Sequence, residues 1–219
     1  MSNADPAMIG ASNFERLEND AYDTPPEVTG YLIDADREFT GLGTRPILEP
    51  AAGKGSMSVV LQNRLGVPVF SADVKPRARW ITRRDFLAAP VMPPTTLHDA
   101  ALKYDIVTNP PFGDLARPFV DRALNHLRMQ REVFGSTGQV AWLLLRNEWN
   151  SAGGRVHLFQ PGPVISFLGK VVINRRIRWF KPRKGDKGPR HNFSWFGWRC
   201  GEPVEERTRY APHTGRGNG

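Results

Sequence analysis

Between residues 45 and 145 the hydrophobic pattern alternates between short apolar runs and stretches of helical period. The runs "PIL", "VPVFSA", "DIVT" and "QVAWLLL" are three to seven residues long and lie among Gly, Pro, Asp and Asn, which predicts buried strands. Between them, "SMSVVLQNRLG" and "LARPFVDRALNHLRMQ" place apolar residues three and four apart, which predicts helices, the first closed by Gly66. Earlier, Val28, Tyr31 and Leu32 share one helical face after Pro26. Alternating strands and helices predict an α/β fold, a Rossmann-like doubly wound, mostly parallel sheet. Further on, "GKVVINRRIRWF" and "HNFSWFGWR" are rich in β-branched and aromatic residues and flank the loop "KPRKGDKGPR". They predict a terminal antiparallel β-hairpin over 170–199. Residues 1–18 and 201–219 carry no period and are expected to be flexible ends of a single domain over 19–200.

Charge changes this picture at the C-terminal end. The net charge is +8, yet from Ala141 onward 15 Lys/Arg face 5 Asp/Glu, so the preceding residues are slightly acidic. Between Lys170 and Arg190 there are nine basic residues and one acid, Asp186. Arg175, Arg176, Arg178, Lys181, Arg183, Lys184, Lys187 and Arg190 are therefore expected to track the phosphates of a nucleic acid. A single cysteine, Cys200, excludes a disulfide framework and a cysteine-based metal cluster. No apolar run reaches the length of a membrane span and the polar start has no signal-peptide core, so no membrane and a cytoplasmic location are expected.

"LEPAAGKGSM" contains Gly-Lys-Gly-Ser, which resembles a nucleoside-triphosphate loop. That loop needs a glycine five positions before its Gly-Lys pair and Ser or Thr directly after the lysine. Here Leu48 and Gly55 stand in those places. The other reading is a glycine turn after a first strand, with Asp73 twenty residues on at the tip of the second. There a carboxylate accepts the ribose hydroxyls of an adenosyl ligand. The third glycine of the dinucleotide fingerprint is missing, which favours a ligand without pyrophosphate.

With "YDTPPE", "LEPAAGKGSM", "ADV", "RDFL" and "NPPF" in this order, the chain resembles the S-adenosylmethionine-dependent amino-methyltransferases over about residues 15–200. It is most similar to the small adenine-N6 DNA methyltransferases of bacteriophages and prophages. The resemblance implies a class I methyltransferase fold, S-adenosylmethionine as cofactor with S-adenosylhomocysteine as product, and no metal. Tyr22, Thr24, Pro25 and Pro26 would border the methionine part of the cofactor. Glu49, Pro50, Ala51, Gly53, Gly55 and Met57 would form the loop beneath it. Asp73 would bind the ribose, and Asp85 with Phe86 the adenine. Larger members of that group carry a separate target-recognition domain, for which these 219 residues leave no room.

The resemblance also implies a chemistry for Asn109, Pro110, Pro111 and Phe112. An exocyclic amino nitrogen is a poor nucleophile because its lone pair is delocalised into the base. Two acceptors aimed at its hydrogens favour the tetrahedral geometry that methyl transfer requires. The Asn109 side-chain oxygen is one, and the Pro110 carbonyl, stiffened by two adjoining proline rings, is the other. Phe112 would stack an extruded base. Direct displacement on adenine in double-stranded DNA is expected, with RNA bases as the second substrate class and protein glutamine as a weaker third.

Overall fold

The structure is a computed structural model and describes residues 22–36, 42–89, 103–135, 137–179, 191–201 and 205–211. The proposed phosphate-tracking residues Lys181, Arg183, Lys184, Lys187 and Arg190, and the expected flexible stretch 1–18, lie outside the described residues. The described strands form one sheet in the order β3-β2-β1-β4-β5-β7-β6-β8. Its parallel half comprises β1 (Ile47–Glu49), β2 (Val69–Asp73), β3 (Thr82–Arg83), β4 (Asp105–Thr108) and β5 (Val140–Arg146). The antiparallel strand β7 (Phe193–Cys200) then lies between β5 and β6 (Ile165–Val172).

Helices cover both faces. On one lie α1 (Pro26–Asp36) and α2 (Ser56–Leu65), on the other α3 (Ala116–Phe134). The period-two alternation of β5 serves both layers: Val140, Trp142 and Leu144 pack towards α1 and α2, while Ala141, Leu143 and Leu145 pack towards α3. In α3, Phe119, Val120, Ala123, Leu124 and Leu127 recur at the spacing that makes one buried face. At the amino ends of the strands the buried Asp105 accepts from the Val140 amide at 2.9 Å and pairs with Arg45 at 3.3 Å. Burial raises its pKa to about 7 against the pull of Arg45. No helix among the described residues is long and apolar enough to cross a membrane.

Two expectations about the tail are corrected. The first hairpin strand begins at Ile165, not at Gly169, and it ends at Val172. Gly169 is interior, at φ +128°, where the register shifts against β7 and a Cβ would overlap the Arg207 backbone. The glycine thus marks a bulge and a close strand approach rather than a strand start. Beyond Val172 the chain leaves the sheet: Ile173 and Ile177 turn into the core, while Arg175, Arg176 and Arg178 are exposed. The stretch read as a frayed tail contains β8 (Arg207–Tyr210), parallel to β6. Its largely exposed Arg-Thr-Arg-Tyr side chains carry no apolar signal, and its place comes from backbone pairing.

Candidate active site

β1 pairs with β2 on one side and β4 on the other, so chain order reverses between β1 and β4. At such a switch point the loops at the carboxyl ends of the strands diverge and leave a crevice. A cleft of about 520 Å³ lies there, walled by the ends of β1, β2 and β4 and by the segment before α1.

Glu49 ends β1 and is buried, with the Ser58 hydroxyl donating to its Oε2 and Ser58 in turn 2.6 Å from the Ser71 hydroxyl. Burial pushes its pKa up to about 8, with the Ser58 bonds opposing. After it, "PAAGKG" turns tightly and Gly55, at φ +84°, leads into α2. A side chain at Gly55 would collide with the Trp80 ring, so its glycine is required by packing as well as by backbone angle. Asp73, at the end of β2, accepts from the Gly53 amide at 2.7 Å through Oδ2 and from the Lys75 amide at 2.8 Å through Oδ1. It ties the glycine turn to the loop after β2 while still lining the cleft.

The asparagine after β4 meets the segment before α1. Asn109 is 8 % exposed, and its Nδ2 donates to the Thr24 hydroxyl at 3.1 Å. Its Oδ1 is buried and has no hydrogen-bond partner. With Nδ2 turned to Thr24, the atom of the amide left unused is an acceptor, on a residue that lines the cleft.

Most of the residues singled out from sequence converge here. Tyr22, Thr24, Glu49, Pro50, Ala51, Gly53, Met57, Asp73, Asp85, Phe86, Asn109 and Pro111 line the cleft. Gly55, Pro25 and Pro26 do not line it: Pro25 accepts the Val28 amide at 3.0 Å and Pro26, exposed, opens α1. Pro110 is buried and does not line the cleft. Asp85 accepts from the Leu87 and Ala88 amides at 2.8 and 3.3 Å, which shapes the turn bearing Phe86. Phe86 is both wall and core, stacked on His126 at 5.1 Å, while Arg122 holds its carbonyl at 3.0 Å.

Phe112 is half-buried and sits in an aromatic cluster, stacked on Tyr22 at 5.1 Å and edge-on to Trp179 at 5.3 Å. Trp179 thereby joins the chain after β6 to the Asn-Pro-Pro-Phe turn. Trp195 and Trp198 are fully buried, and Trp149 is core. Sequence reasoning missed Asp23, which pairs with Arg77 at 2.7 Å and Lys54 at 3.3 Å across the glycine turn. It also missed Ser58 and Ser71. Asp23 adjoins the Thr-Pro-Pro segment, but its partner Arg77 is 54 positions away and leaves no local signal. Among the described residues no group of three His, Cys, Asp or Glu is placed to hold a metal ion.

No family model matches the chain, and no curated protein is similar to it. Solved structures are. A Vibrio vulnificus YJ016 protein assigned as a modification subunit of a type I restriction enzyme matches with a TM-score of 0.56 at 17% identity, over 88% of this chain and 48% of its own. The methyltransferase subunit of a type I restriction-modification system from Streptococcus thermophilus gives 0.51 at 12% identity, over 82% and 45%. A Listeria monocytogenes protein assigned to the class I S-adenosylmethionine-dependent methyltransferases gives 0.57 at 12% identity, over 86% and 65%. The chain thus spans about half the length of the two restriction-system subunits and 65% of the Listeria protein. Strand order, the cleft at the β1–β4 switch and these similarities agree: the fold is that of the class I S-adenosylmethionine-dependent methyltransferases.

Proposed function

We propose that the chain transfers a methyl group from S-adenosylmethionine to the N6 amino group of adenine in DNA. The observation that carries this reading is the unpartnered Asn109 Oδ1, on a residue whose Nδ2 is bonded to Thr24 and which lines the cleft with Glu49 and Asp73. A buried acceptor left unmade is unfavourable by itself, so its persistence calls for a donor from a ligand.

The residues present fit the cofactor. Glu49 is buried where a positive ligand would favour its ionised form, and Asp73 lies within reach of hydroxyls entering the cleft. Phe86 offers an apolar wall for the adenine, and Asp85 a carboxylate beside it. When bound, S-adenosylmethionine supplies an electrophilic methyl group on a positively charged sulfur. Asn109 would accept one hydrogen of the substrate amino group and the adjoining Pro110 carbonyl, on a residue that does not line the cleft in the free protein, the other, which would favour a localised nitrogen lone pair. Asn109 has no basic lone pair at neutral pH, so the displaced proton passes to water.

Nucleic acid as substrate is supported by the exposed Arg175, Arg176 and Arg178 after β6, at the same edge of the sheet as Asn109. The similarity to two restriction-system subunits favours DNA. One observation favours RNA as the second reading: a Pyrococcus horikoshii protein assigned as an RNA methyltransferase matches with a TM-score of 0.50 at 15% identity. Incubation with isotope-labelled S-adenosylmethionine and duplex DNA, single-stranded DNA, RNA or protein, followed by mass spectrometry of the digests, separates the readings. N6-methyldeoxyadenosine from DNA is expected; label in RNA alone, or in protein alone, would overturn the assignment.

A further inference from the structure

A second cationic surface flanks the cleft on the side away from Arg175–Arg178. The loop after β2 and the short β3, residues 74–84, contain Lys75, Arg77, Arg79, Arg83 and Arg84 and no acid. Lys75, Arg79 and Arg83 are exposed. Asp23 neutralises Arg77, whereas no carboxylate among the described residues pairs with Arg79 or Arg83. In their midst Trp80 is 55% exposed, a large apolar ring on an otherwise charged surface.

The ring is held in place. It covers Gly55, where a Cβ would overlap it, and the neighbouring Ile81 is buried with its amide bonded to the Ala78 carbonyl at 3.2 Å. β3 pairs with β2, and the Arg84 amide donates to the Asp73 carbonyl at 2.9 Å, which fixes the far end. A rigid exposed indole among unneutralised arginines is the arrangement that stacks a base and holds its phosphates.

Building on the assignment of a nucleic-acid substrate, we propose that residues 74–84 are a second nucleic-acid contact, with Trp80 stacking a base and Arg79 and Arg83 holding the phosphodiester backbone. The segment leaves the carboxyl end of β2 and Arg175–Arg178 leave that of β6, both at the edge where Asn109 lies. β2 and β6 are five strand steps apart in the sheet order, about 24 Å at the usual spacing. At 3.4 Å per nucleotide step this is roughly seven nucleotides. Asn109, after β4, sits between them, two steps from β2 and three from β6. The two contacts therefore hold the strand on either side of the target base. Arginines outnumber lysines here, and the planar guanidinium fork suits a phosphodiester better than a diffuse anionic lipid surface.

The test compares the full chain with Arg79→Ser/Arg83→Ser, which leaves Trp80 on Gly55, and with Trp80→Ala and Trp80→Phe. Binding of a 20-nucleotide single strand and its duplex is followed by fluorescence anisotropy over a salt series, with S-adenosylmethionine affinity measured alongside. The double arginine variant is expected to flatten the slope of log K against log[salt] by about 1.5 to 2 with cofactor affinity unchanged. Trp80→Ala is expected to weaken single-strand binding by roughly 10-fold or more, and Trp80→Phe to restore most of it. Wild-type binding with the same affinity and slope in every variant would overturn the second contact and leave the substrate assignment standing. Absence of any wild-type binding to nucleic acid would overturn both. Capture by phosphatidylserine vesicles that the arginine variant loses, with nucleic-acid binding intact, would reassign the surface to lipid.

Discussion

The Asn109 side chain donates through Nδ2 to the Thr24 hydroxyl at 3.1 Å, across 85 positions of sequence, and its Oδ1 is left without a partner. In this arrangement the oxygen is the unpaired end of the amide. Thr24→Val keeps the shape and removes the acceptor, freeing the amide to turn. The expected result is a fall in kcat of roughly 5- to 10-fold, the worth of about one hydrogen bond of 1 kcal/mol. Thr24→Ser should retain most of the rate, and equal kcat in all three proteins would remove Thr24 from the account.

Glu49 yields a pH prediction for cofactor binding. Its pKa is raised to about 8 by burial, so it is largely protonated at pH 7 in the free protein. A cationic ligand in the cleft favours the ionised form, so binding should release a proton near pH 7 and tighten as pH rises towards 8. Calorimetry in buffers of different ionisation enthalpy reads that proton directly. Glu49→Gln should abolish both the release and the pH dependence of affinity.

Stability of the free protein should carry titrations of opposite sign. Glu49 and Asp105, raised to about 8 and about 7, bind more protons folded than unfolded. Their contribution is complete below the usual carboxylate range and is lost as pH rises through those values. His126 is lowered to about 3 by burial, with Arg122 and Arg84 adding to the effect. Its contribution is present above about pH 6.5 and is lost as pH falls towards 3. Urea unfolding should accordingly find Glu49→Gln more stable than wild type at pH 8.5 and nearly equal to it at pH 5. An equal difference at both would contradict the assignment of a protonated native Glu49.

Beneath Phe86, Tyr104 and His126 form a buried hydrogen-bonded pair, and Gln130 accepts the Tyr104 amide at 2.9 Å. Tyr104→Phe leaves the His126 Nδ1 without that partner and should destabilise the fold by about 1–2 kcal/mol. Since Phe86 stacks on His126, cofactor affinity should also weaken modestly, and isothermal titration beside urea unfolding separates the two effects. Loss of stability with unchanged affinity would show that His126 does not position Phe86.

What was legible in the sequence follows from how local each signal is. β1, β2, β4, β5 and α3 announce themselves by period, and Glu49, Gly53, Asp73 and Asn109 by their place at strand ends, where the fold gathers loops into one cleft. β8 was invisible because an exposed edge strand needs no apolar side chains. The interior position of Gly169 depends on Arg207, 38 residues on in a strand that no pattern announced. Gly55 looked like a ligand-facing glycine because Trp80 above it cannot be seen from a turn motif. The packing of Tyr22 and Trp179 on Phe112 could not be read from sequence, because these rings come from positions 90 and 67 residues away.

Single-turnover methyl transfer with Asn109→Ala tests the Asn109 oxygen as the acceptor that activates an amino nitrogen. This variant is expected to bind S-adenosylmethionine and DNA within a few-fold of wild type and to lose transfer by 100-fold or more. Transfer at a wild-type rate by Asn109→Ala with cofactor and DNA bound would contradict it.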